Sequence, residues 1–330
     1  MRARHIPLAL AATLLVLTGA AGCVPPAAPV SAPSCPTGAR VVGSSIEDLQ
    51  RAVDAAAPGD VLRLADTTYA GRLVVSASGS DAAPIVLCGS AQARIDGGDA
   101  TTGYALHVDG AAHWRIAGFA ITGASKGIVA DAASDIVFDR LVVEDIGEEG
   151  IHLRSGTTDS TVSNSSVRRT GIVTAEYGEG IYVGSAESNW CRYTGCEPDR
   201  SDRNRLVGNT VSDTTAEAID IKEGSSGGVA EANTLTLSDV AVVDSAVDVK
   251  GNDWRIAGNR VTSAGIGIEV QQVADGWGGR AVIEGNTIDA AIDAYAIDVA
   301  GAARTQGSVI RCDNRTASGA EVRASLACTP

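Results

Sequence analysis

Acidic and basic side chains recur at equivalent positions of a repeated segment in the middle of the chain. One position carries Glu149, Glu179 and Glu217 in three successive repeats, and another carries Lys222 and Lys250 in two. Stacking like charges is unfavourable unless a cation and an anion, respectively, bind the two groups. Carboxylate oxygens are the ligands that Ca²⁺ prefers, and paired cations suit a carboxylate-bearing ligand. The pattern therefore predicts a calcium site beside a binding site for an acidic sugar chain.

Histidine, tyrosine and arginine side chains accompany these groups. His152 and Tyr182 occupy the same position in consecutive repeats and form an alternative acid/base pair, with Tyr182 as a donor to a leaving oxygen. Arg154 would join the two lysines in receiving a carboxylate. Removing a carbon-bound proton next to a carboxylate requires a base and a metal or cations that stabilise the developing charge. These residue types predict that chemistry.

Asp220 and Asp248 follow in the column of His152 and Tyr182, two residues before each lysine. We predict that both aspartates bind substrate. An alternative interpretation is that aspartates and lysines form ladders of opposite charge that neutralise a solvent-facing sheet. A glycoside hydrolase would use such a carboxyl pair, but the flanking lysines would keep both aspartates ionised and leave no acid.

The longest insertion between repeats, residues 184–204, carries Trp190 and Tyr193 close to two cysteines of the same loop. Aromatic side chains beside a charged strand face suit a wall on which sugar rings stack. The alternative is a solvent loop that is closed by a disulfide only for durability.

A five-residue phrase positions all these groups: a small residue, then aliphatic and variable residues in alternation. Its first aliphatic residues lie 21 to 38 residues apart in the copies at 105–109, 127–131, 150–154, 180–184, 218–222, 246–250, 267–271 and 296–300. A short strand that recurs at this spacing is typical of a parallel β-helix. A second phrase, centred on Asn164, Asn209, Asn233, Asn259 and Asn286, predicts an internal asparagine ladder at one corner. A β-sandwich with Asn-Gly turns is the less favoured alternative.

The N-terminus predicts export. Residues 1–22 have a basic start, a short apolar run and small residues before Cys23, which resembles a bacterial lipoprotein signal with Cys23 as the lipidated residue. Residues 23–40 are rich in Pro, Ala and Ser and predict a flexible tether to the membrane. Ordinary secretion is the alternative, because Ala20 stands where such signals usually have leucine.

Residues 41–330 are predicted to form one all-β domain, a right-handed parallel β-helix with an N-terminal capping helix from residue 46 and a C-terminal cap over 311–330. Six cysteines besides Cys23 predict disulfides in an oxidising compartment. Proximity suggests the pairs Cys35–Cys88, Cys191–Cys196 and Cys312–Cys328. The formal net charge of −14 argues against nucleic acid as a partner. A monomer is expected.

Glu217 and Lys222, five residues apart and followed one repeat later by another cation, resemble the site of the alginate lyase and chondroitinase B family of β-helix lyases. The resemblance implies that Glu217 binds a Ca²⁺ that neutralises the uronate carboxylate and that Lys222 removes the C5 proton. Lys250 takes the place of the family's arginine, whereas Thr215 stands where a second glutamate would be.

These observations lead to three hypotheses of different classes. The first is a surface lyase that cleaves an acidic polysaccharide by β-elimination. The second is a non-catalytic β-helix that binds wall or matrix glycans, and the third is the glycoside hydrolase considered above.

Overall fold

The structure is a computed structural model, and it describes residues 35–238, 240–291 and 295–330. The helices are α1 (Ile46–Asp54) and α2 (Trp190–Tyr193), with 3₁₀ turns at Ala175–Tyr177, Glu187–Asn189 and Gly301–Thr305. The strands in chain order are β1 (Arg40–Val41), β2 (Val61–Arg63), β3 (Thr68–Ala70), β4 (Leu73–Val75), β5 (Ile85–Cys88), β6 (Arg94–Asp109), β7 (Ala112–Ala117), β8 (Ala120–Asp131), β9 (Ser134–Asp139), β10 (Val142–Glu144), β11 (Ile151–Arg154), β12 (Thr161–Ser163), β13 (Ser166–Thr170), β14 (Ile181–Val183), β15 (Arg205–Val207), β16 (Thr210–Thr214), β17 (Ile219–Ile221), β18 (Val229–Glu231), β19 (Thr234–Leu237), β20 (Ser245–Val249), β21 (Arg255–Ala257), β22 (Arg260–Thr262), β23 (Ile266–Val270), β24 (Val282–Glu284), β25 (Thr287–Asp289), β26 (Ile297–Val299) and β27 (Val309–Ile310).

These strands pair in parallel with the equivalent strand of the next coil. One sheet has the order β1-β2-β5-β7-β9-β12-β15-β18-β21-β24-β27. The other runs from β25 to β10, passes through the long strand β8, and continues as β11-β14-β17-β20-β23-β26. The coils after β8 therefore build three ladders of short strands, and the predicted parallel β-helix is confirmed. The last ladder, β11 to β26, carries the charged phrase.

Apolar side chains from all three ladders fill the interior. Alternation places the aliphatic residues of the phrase inward, and Ile151, Ile181, Ile219 and Val247 are completely buried in one continuous core. Each amide of the corner ladder donates to the carbonyl oxygen of the next asparagine side chain, from Asn209 through Asn233, Asn259 and Asn286 to Asn314. Asn164 was wrongly predicted to join: it has a φ of 50° and Ser165 occupies the ladder position instead.

A helix is present over Ile46–Asp54, with Ser45 as its N-cap accepting a hydrogen bond from the amide of Asp48. Its residues Leu49 and Val53 are completely buried in the core of the coils. The three predicted disulfides are present, with Cα separations of 5.6 Å, 3.7 Å and 5.0 Å in chain order. Such bonds are typical of proteins in oxidising compartments.

The helices of the described residues are too short or too polar to cross a bilayer. The predicted signal of residues 1–22, the lipidation of Cys23 and most of the tether over 23–40 lie outside the described residues. These features, like the domain boundaries, stay predictions.

Candidate functional site

The predicted alignment of polar side chains is confirmed in the strand register. His152 pairs with Tyr182, Tyr182 with Asp220, and Asp220 with Asp248. The column continues with Glu269. Because neighbouring strands of a sheet lie about 4.8 Å apart, groups from β11, β14 and β17 occupy a patch about 10 Å long.

The charged face is buried rather than solvent-facing, which corrects the expectation from the sequence. Asp220 is completely inaccessible, and His152 and Arg154 are each 3% exposed. The inserted loops at 171–178 and 184–204 rise beside this face, and residues of both line a cleft of about 570 Å³ over it. Charges enclosed in this way interact more strongly than on an open sheet.

Three carboxylates converge on the floor of the cleft. Glu179, Glu217 and Asp220 each offer an oxygen within 4.8 Å of the others. Burial raises the pKa of Glu179 well above its usual value, with further contributions from Asp220 and Glu149, and burial next to Asp220 raises the pKa of Glu217 to about 7. One oxygen of Glu179, Oε2, is buried and has no hydrogen-bond partner among the described residues. These donor groups fit a hard divalent cation such as Ca²⁺.

Glu149 differs from the predicted ligand set. Its carboxylate forms an ion pair with Lys126, which also binds Glu148 at 2.7 Å. Glu149 is not part of the close cluster of Glu179, Glu217 and Asp220, so Asp220 stands in the third ligand position that the sequence assigned to Glu149.

The two lysines meet at one aspartate. Lys222 Nζ lies 2.7 Å from Asp220 Oδ2, and Lys250 Nζ lies 2.9 Å from Asp220 Oδ1 and 2.6 Å from Asp248 Oδ2. Burial opposes the ammonium charge of Lys222, but Asp220, Glu217 and Glu179 together raise the pKa of Lys222 above its usual value, with Asp220 contributing most. Lys222 lines the cleft, whereas Lys250 and Asp248, on the next coil, do not. Lys250 thus acts on Asp220 rather than on a ligand.

His152 and Tyr182 are stacked, with ring centroids 4.0 Å apart and an interplanar angle of 11°. Burial lowers the pKa of His152 well below its usual value, and Arg154 adds to the effect, so the ring is neutral. Its Nε2 then donates to the carbonyl oxygen of Gly184 at 2.8 Å. Burial next to Asp220 raises the pKa of Tyr182, which keeps its hydroxyl protonated. The Nζ of Lys222 lies 5.2 Å from the centre of the Tyr182 ring.

Arg154 lies at the other end of the cleft. Its Nε donates to Asp131 Oδ1 at 2.7 Å, and Nη2 reaches Asp131 Oδ2 at 3.2 Å. The remaining contacts join its Nη2 to the Tyr104 hydroxyl at 2.9 Å and its Nη1 to the Tyr193 hydroxyl at 3.2 Å. The predicted direct binding of a substrate carboxylate by Arg154 does not fit this geometry, because four of its five N–H donors are engaged.

Trp190 is not a stacking surface, which corrects the prediction that it forms a sugar-stacking wall with Tyr193. It is 8% exposed, its Nε1 donates to the carbonyl oxygen of Ser185, and it does not line the cleft. Tyr193, predicted with it, does line the cleft, and so does Arg192. The indole packs the loop so that its neighbours face inward.

Two residues of the cleft wall were missed from the sequence. Tyr104 and Lys126 pair across neighbouring strands and line the cleft. Each stands two residues before the first aliphatic residue of its repeat, which is the position of Glu149, Glu179 and Glu217. The signal was present, and extending that column toward the N-terminus would have found them.

Glu269 allows a prediction about stability. Burial raises its pKa from 4.5 to about 7, with additional repulsion from Asp248, Asp244 and Asp298 and partial relief from Lys250. Because the folded-state pKa is raised, ionisation costs stability: the cost is absent below the unfolded pKa and grows as pH rises toward 7. Glu269→Gln should therefore raise the melting temperature by about 2 °C or more at pH 8 and leave it unchanged near pH 4.

Thermal unfolding followed between pH 4 and pH 8 checks this difference. Glu197→Gln is the matched control, because it removes the same charge from an exposed position. If both variants raise the melting temperature equally at pH 8, the effect comes from net charge and not from the burial of Glu269.

The fold is shared with proteins of known structure. A model of the right-handed β-helix region matches residues 104–244. No curated protein sequence matches the chain. Among solved structures, a pectate lyase, Pel9A, is similar with a TM-score of 0.62 at 16% identity, over 88% of this chain and 80% of that one. A mannuronic acid specific polysaccharide family 6 lyase from human gut microbiota has a TM-score of 0.54 at 14% identity, over 84% and 64%. At these identities the similarity shows the fold alone.

Another solved structure is similar in sequence as well. Alginate lyase from Paenibacillus sp. str. FPU-7 has a TM-score of 0.78 and 33% sequence identity, over 86% of this chain and 97% of that enzyme. Such identity extends across nearly the whole relative and includes the coils that carry the cleft. The chain therefore belongs to the family of this Paenibacillus enzyme, within the polysaccharide-lyase-like right-handed parallel β-helix proteins.

Proposed function

We propose that this protein is an exported lyase that cleaves a uronic-acid-containing polysaccharide by β-elimination. The observation that carries the proposal is the position of Lys222 in the cleft, with its Nζ 5.2 Å from the ring of a protonated Tyr182. The relative at 33% identity is named an alginate lyase, which supports an acidic polysaccharide as substrate. Three disulfides support export.

β-Elimination requires one base and one acid on the reacting sugar. Lys222 takes the C5 proton, the C–H electrons form the C4–C5 double bond, and the C4–O4 bond breaks. Tyr182 gives its hydroxyl proton to the departing O4, which becomes the new hydroxyl end. The raised pKa of Tyr182 keeps the hydroxyl protonated at neutral pH, although it also makes the hydroxyl a weaker acid. Lys222 must first lose a proton, and Asp220, Glu217 and Glu179 oppose that loss.

The same three carboxylates that oppose deprotonation of Lys222 form the candidate cation site. Ca²⁺ bound there would supply positive charge that neutralises these carboxylates and stabilises the developing charge on the uronate. The roles predicted from the sequence for His152, Lys250 and Asp248 are narrower in this proposal: the His152 ring supports the Tyr182 ring, Lys250 pairs with Asp220, and Asp248 pairs with Lys250.

A hydrolytic role for Asp220 and Asp248 finds less support. Asp220 is completely buried and held by two lysines, and Asp248 does not line the cleft. A pair of carboxyl groups that must flank a glycosidic bond needs both members in contact with the substrate.

Incubation of the purified protein with alginate, pectate and glycosaminoglycans tests the proposal, with absorbance of the unsaturated product in the far ultraviolet as the readout. We expect unsaturated ends from at least one uronate polymer. New reducing ends without unsaturation would indicate a hydrolase, and binding without any product would indicate a glycan-binding protein; either result would overturn the proposal.

A further inference from the structure

The end of the cleft at Arg154 is built as a rigid aromatic site. We propose that Tyr104, Tyr193 and Arg192 form a sugar subsite that binds a uronate ring on one side of the bond to be cleaved, and that Arg154 is the positioning residue that holds it together. This inference rests on the proposed function in so far as it assigns the cleft a uronate oligosaccharide. It adds the position, away from Lys222, at which the protein binds the sugar chain.

Arg154 orients both tyrosines. Its guanidinium lies 4.3 Å from the centre of the Tyr193 ring and 5.5 Å from that of Tyr104, and it donates a hydrogen bond to each hydroxyl. Each tyrosine oxygen accepts from Arg154, so its own O–H proton is left to donate to a sugar oxygen. The rings of Tyr104 and Tyr193 are only partly buried, and cation–π contacts at these distances help to hold them in place.

Arg154 itself is fixed from behind. Asp131 binds it through both carboxylate oxygens, and His107 Nε2 lies 2.9 Å from Asp131 Oδ2. The guanidinium charge is therefore neutralised within the protein. Arg154 is 3% exposed. A residue so enclosed and so fully bonded organises its neighbours and has little left for a ligand.

The cation available for a uronate carboxylate is Arg192. Lys126, Arg154 and Lys222, the other basic residues that line the cleft, are each paired with a carboxylate. Arg192 is exposed, lies 5.0 Å from the centre of the Tyr193 ring, and has no ion pair among the described residues. An unpaired guanidinium next to the Tyr193 ring suits a sugar that carries a carboxylate.

The distance to the proposed reacting groups places this site beyond the scissile bond. Arg154 and Lys222 follow the paired residues Leu153, Val183 and Ile221, so they are two coils, or about 10 Å, apart. Gly184 occupies the same position on the coil between them and contributes no side chain. The gap leaves room for a sugar chain to pass from the tyrosines to Lys222.

The disulfide Cys191–Cys196 closes the turn that carries Arg192 and Tyr193. Both side chains are thereby confined to a short segment that is anchored by the buried Trp190. Rigid aromatic groups lose little conformational freedom when a ligand binds, which favours affinity.

Binding of mannuronate and galacturonate tetrasaccharides, measured by calorimetry in a Lys222→Ala background, tests the subsite without turnover. We expect Tyr104→Ala, Tyr193→Ala and Arg192→Met each to weaken binding about tenfold for the tetrasaccharide that binds. Arg200→Met is the matched control, since Arg200 is an exposed arginine of the same loop that does not line the cleft. It should bind like the parent.

The positioning role of Arg154 has its own readout. Arg154→Lys keeps a charge near Asp131, but a lysine cannot reach both tyrosine hydroxyls. As a single substitution it should therefore weaken tetrasaccharide binding. Added to the double variant Tyr104→Phe/Tyr193→Phe, it should cause almost no further loss of affinity. If Arg154→Lys weakens binding by the same factor in the double variant as in the parent, the positioning role is overturned.

The outcomes separate this inference from the proposed function. Unchanged binding in the Tyr104, Tyr193 and Arg192 variants would overturn the subsite, even if the protein is an active lyase. Loss of binding in all three would support the subsite, even if no unsaturated product forms. No binding of either tetrasaccharide to the parent would overturn the subsite as well.

Discussion

Lys222→Ala should reduce formation of unsaturated product by about a thousandfold or more, because a positioned base contributes about 10² to 10⁴ in rate and Lys222 also supplies charge next to the reacting sugar. The fold should persist, since Asp220 keeps its ion pair with Lys250 at 2.9 Å. The measurement is initial rate on the polymer that the unmodified protein cleaves, with melting temperature recorded in parallel.

Lys222→Arg separates two roles of the lysine. Arginine preserves the cation beside Asp220 but cannot lose a proton in the accessible pH range. If Lys222 is the base, this variant is as inactive as Lys222→Ala. Retention of a tenth or more of the activity would show that only the positive charge is needed, and Tyr182 or neutral His152 would then have to accept the proton.

Much of the site's framework was predictable because strand register follows from the repeat. Alternation sends Ile219 and Ile221 inward and Asp220 outward, and a slip of one residue would bury the charges in the apolar core. The phrase therefore determines which polar residues stack, and the column from His152 to Asp248 is confirmed. The third disulfide, Cys312–Cys328, could likewise be predicted, because its two cysteines are close in the chain.

Contacts made by the inserted loops could not be predicted from the repeat. Residues 184–204 have no equivalent in other coils, so nothing in the pattern indicated that Trp190 would turn away from the cleft while Tyr193 and Arg192 face it. Burial of the charged sheet has the same origin, because the loops that rise beside it lie outside the repeat.

Which charged side chains form ion pairs likewise could not be predicted from the sequence. The register places Glu149 with Glu179 and Glu217, but Lys126 comes from the preceding coil and neutralises Glu149. Lys222 and Lys250 are one coil apart in a predicted column, yet they bind the same side chain, Asp220, and this sharing relieves the repulsion that the sequence pattern suggested. Side-chain length and direction decide such partners, and the repeat specifies neither.

Calcium should stabilise the protein through Glu179, Glu217 and Asp220, because their oxygens lie within 4.8 Å of one another. At a hundred times the dissociation constant, a ligand that binds only the folded state adds about 2.7 kcal/mol to the free energy of unfolding. We therefore expect Ca²⁺ to raise the melting temperature of the unmodified protein and a chelator to reverse the increase.

Glu179→Gln and Glu217→Gln should abolish the calcium-dependent part of the melting temperature, as each removes one anionic ligand. Glu149→Gln distinguishes the set of ligands in the structure from the set predicted by sequence: its carboxylate is not part of the cluster of Glu179, Glu217 and Asp220, so this variant should respond to Ca²⁺ like the parent. If Glu149→Gln loses the calcium response and the other two variants keep it, the cation binds one coil nearer to the N-terminus. If the unmodified protein shows no response, there is no calcium site on this face. Because melting temperature is read without substrate, the result is independent of whether Lys222 is the base.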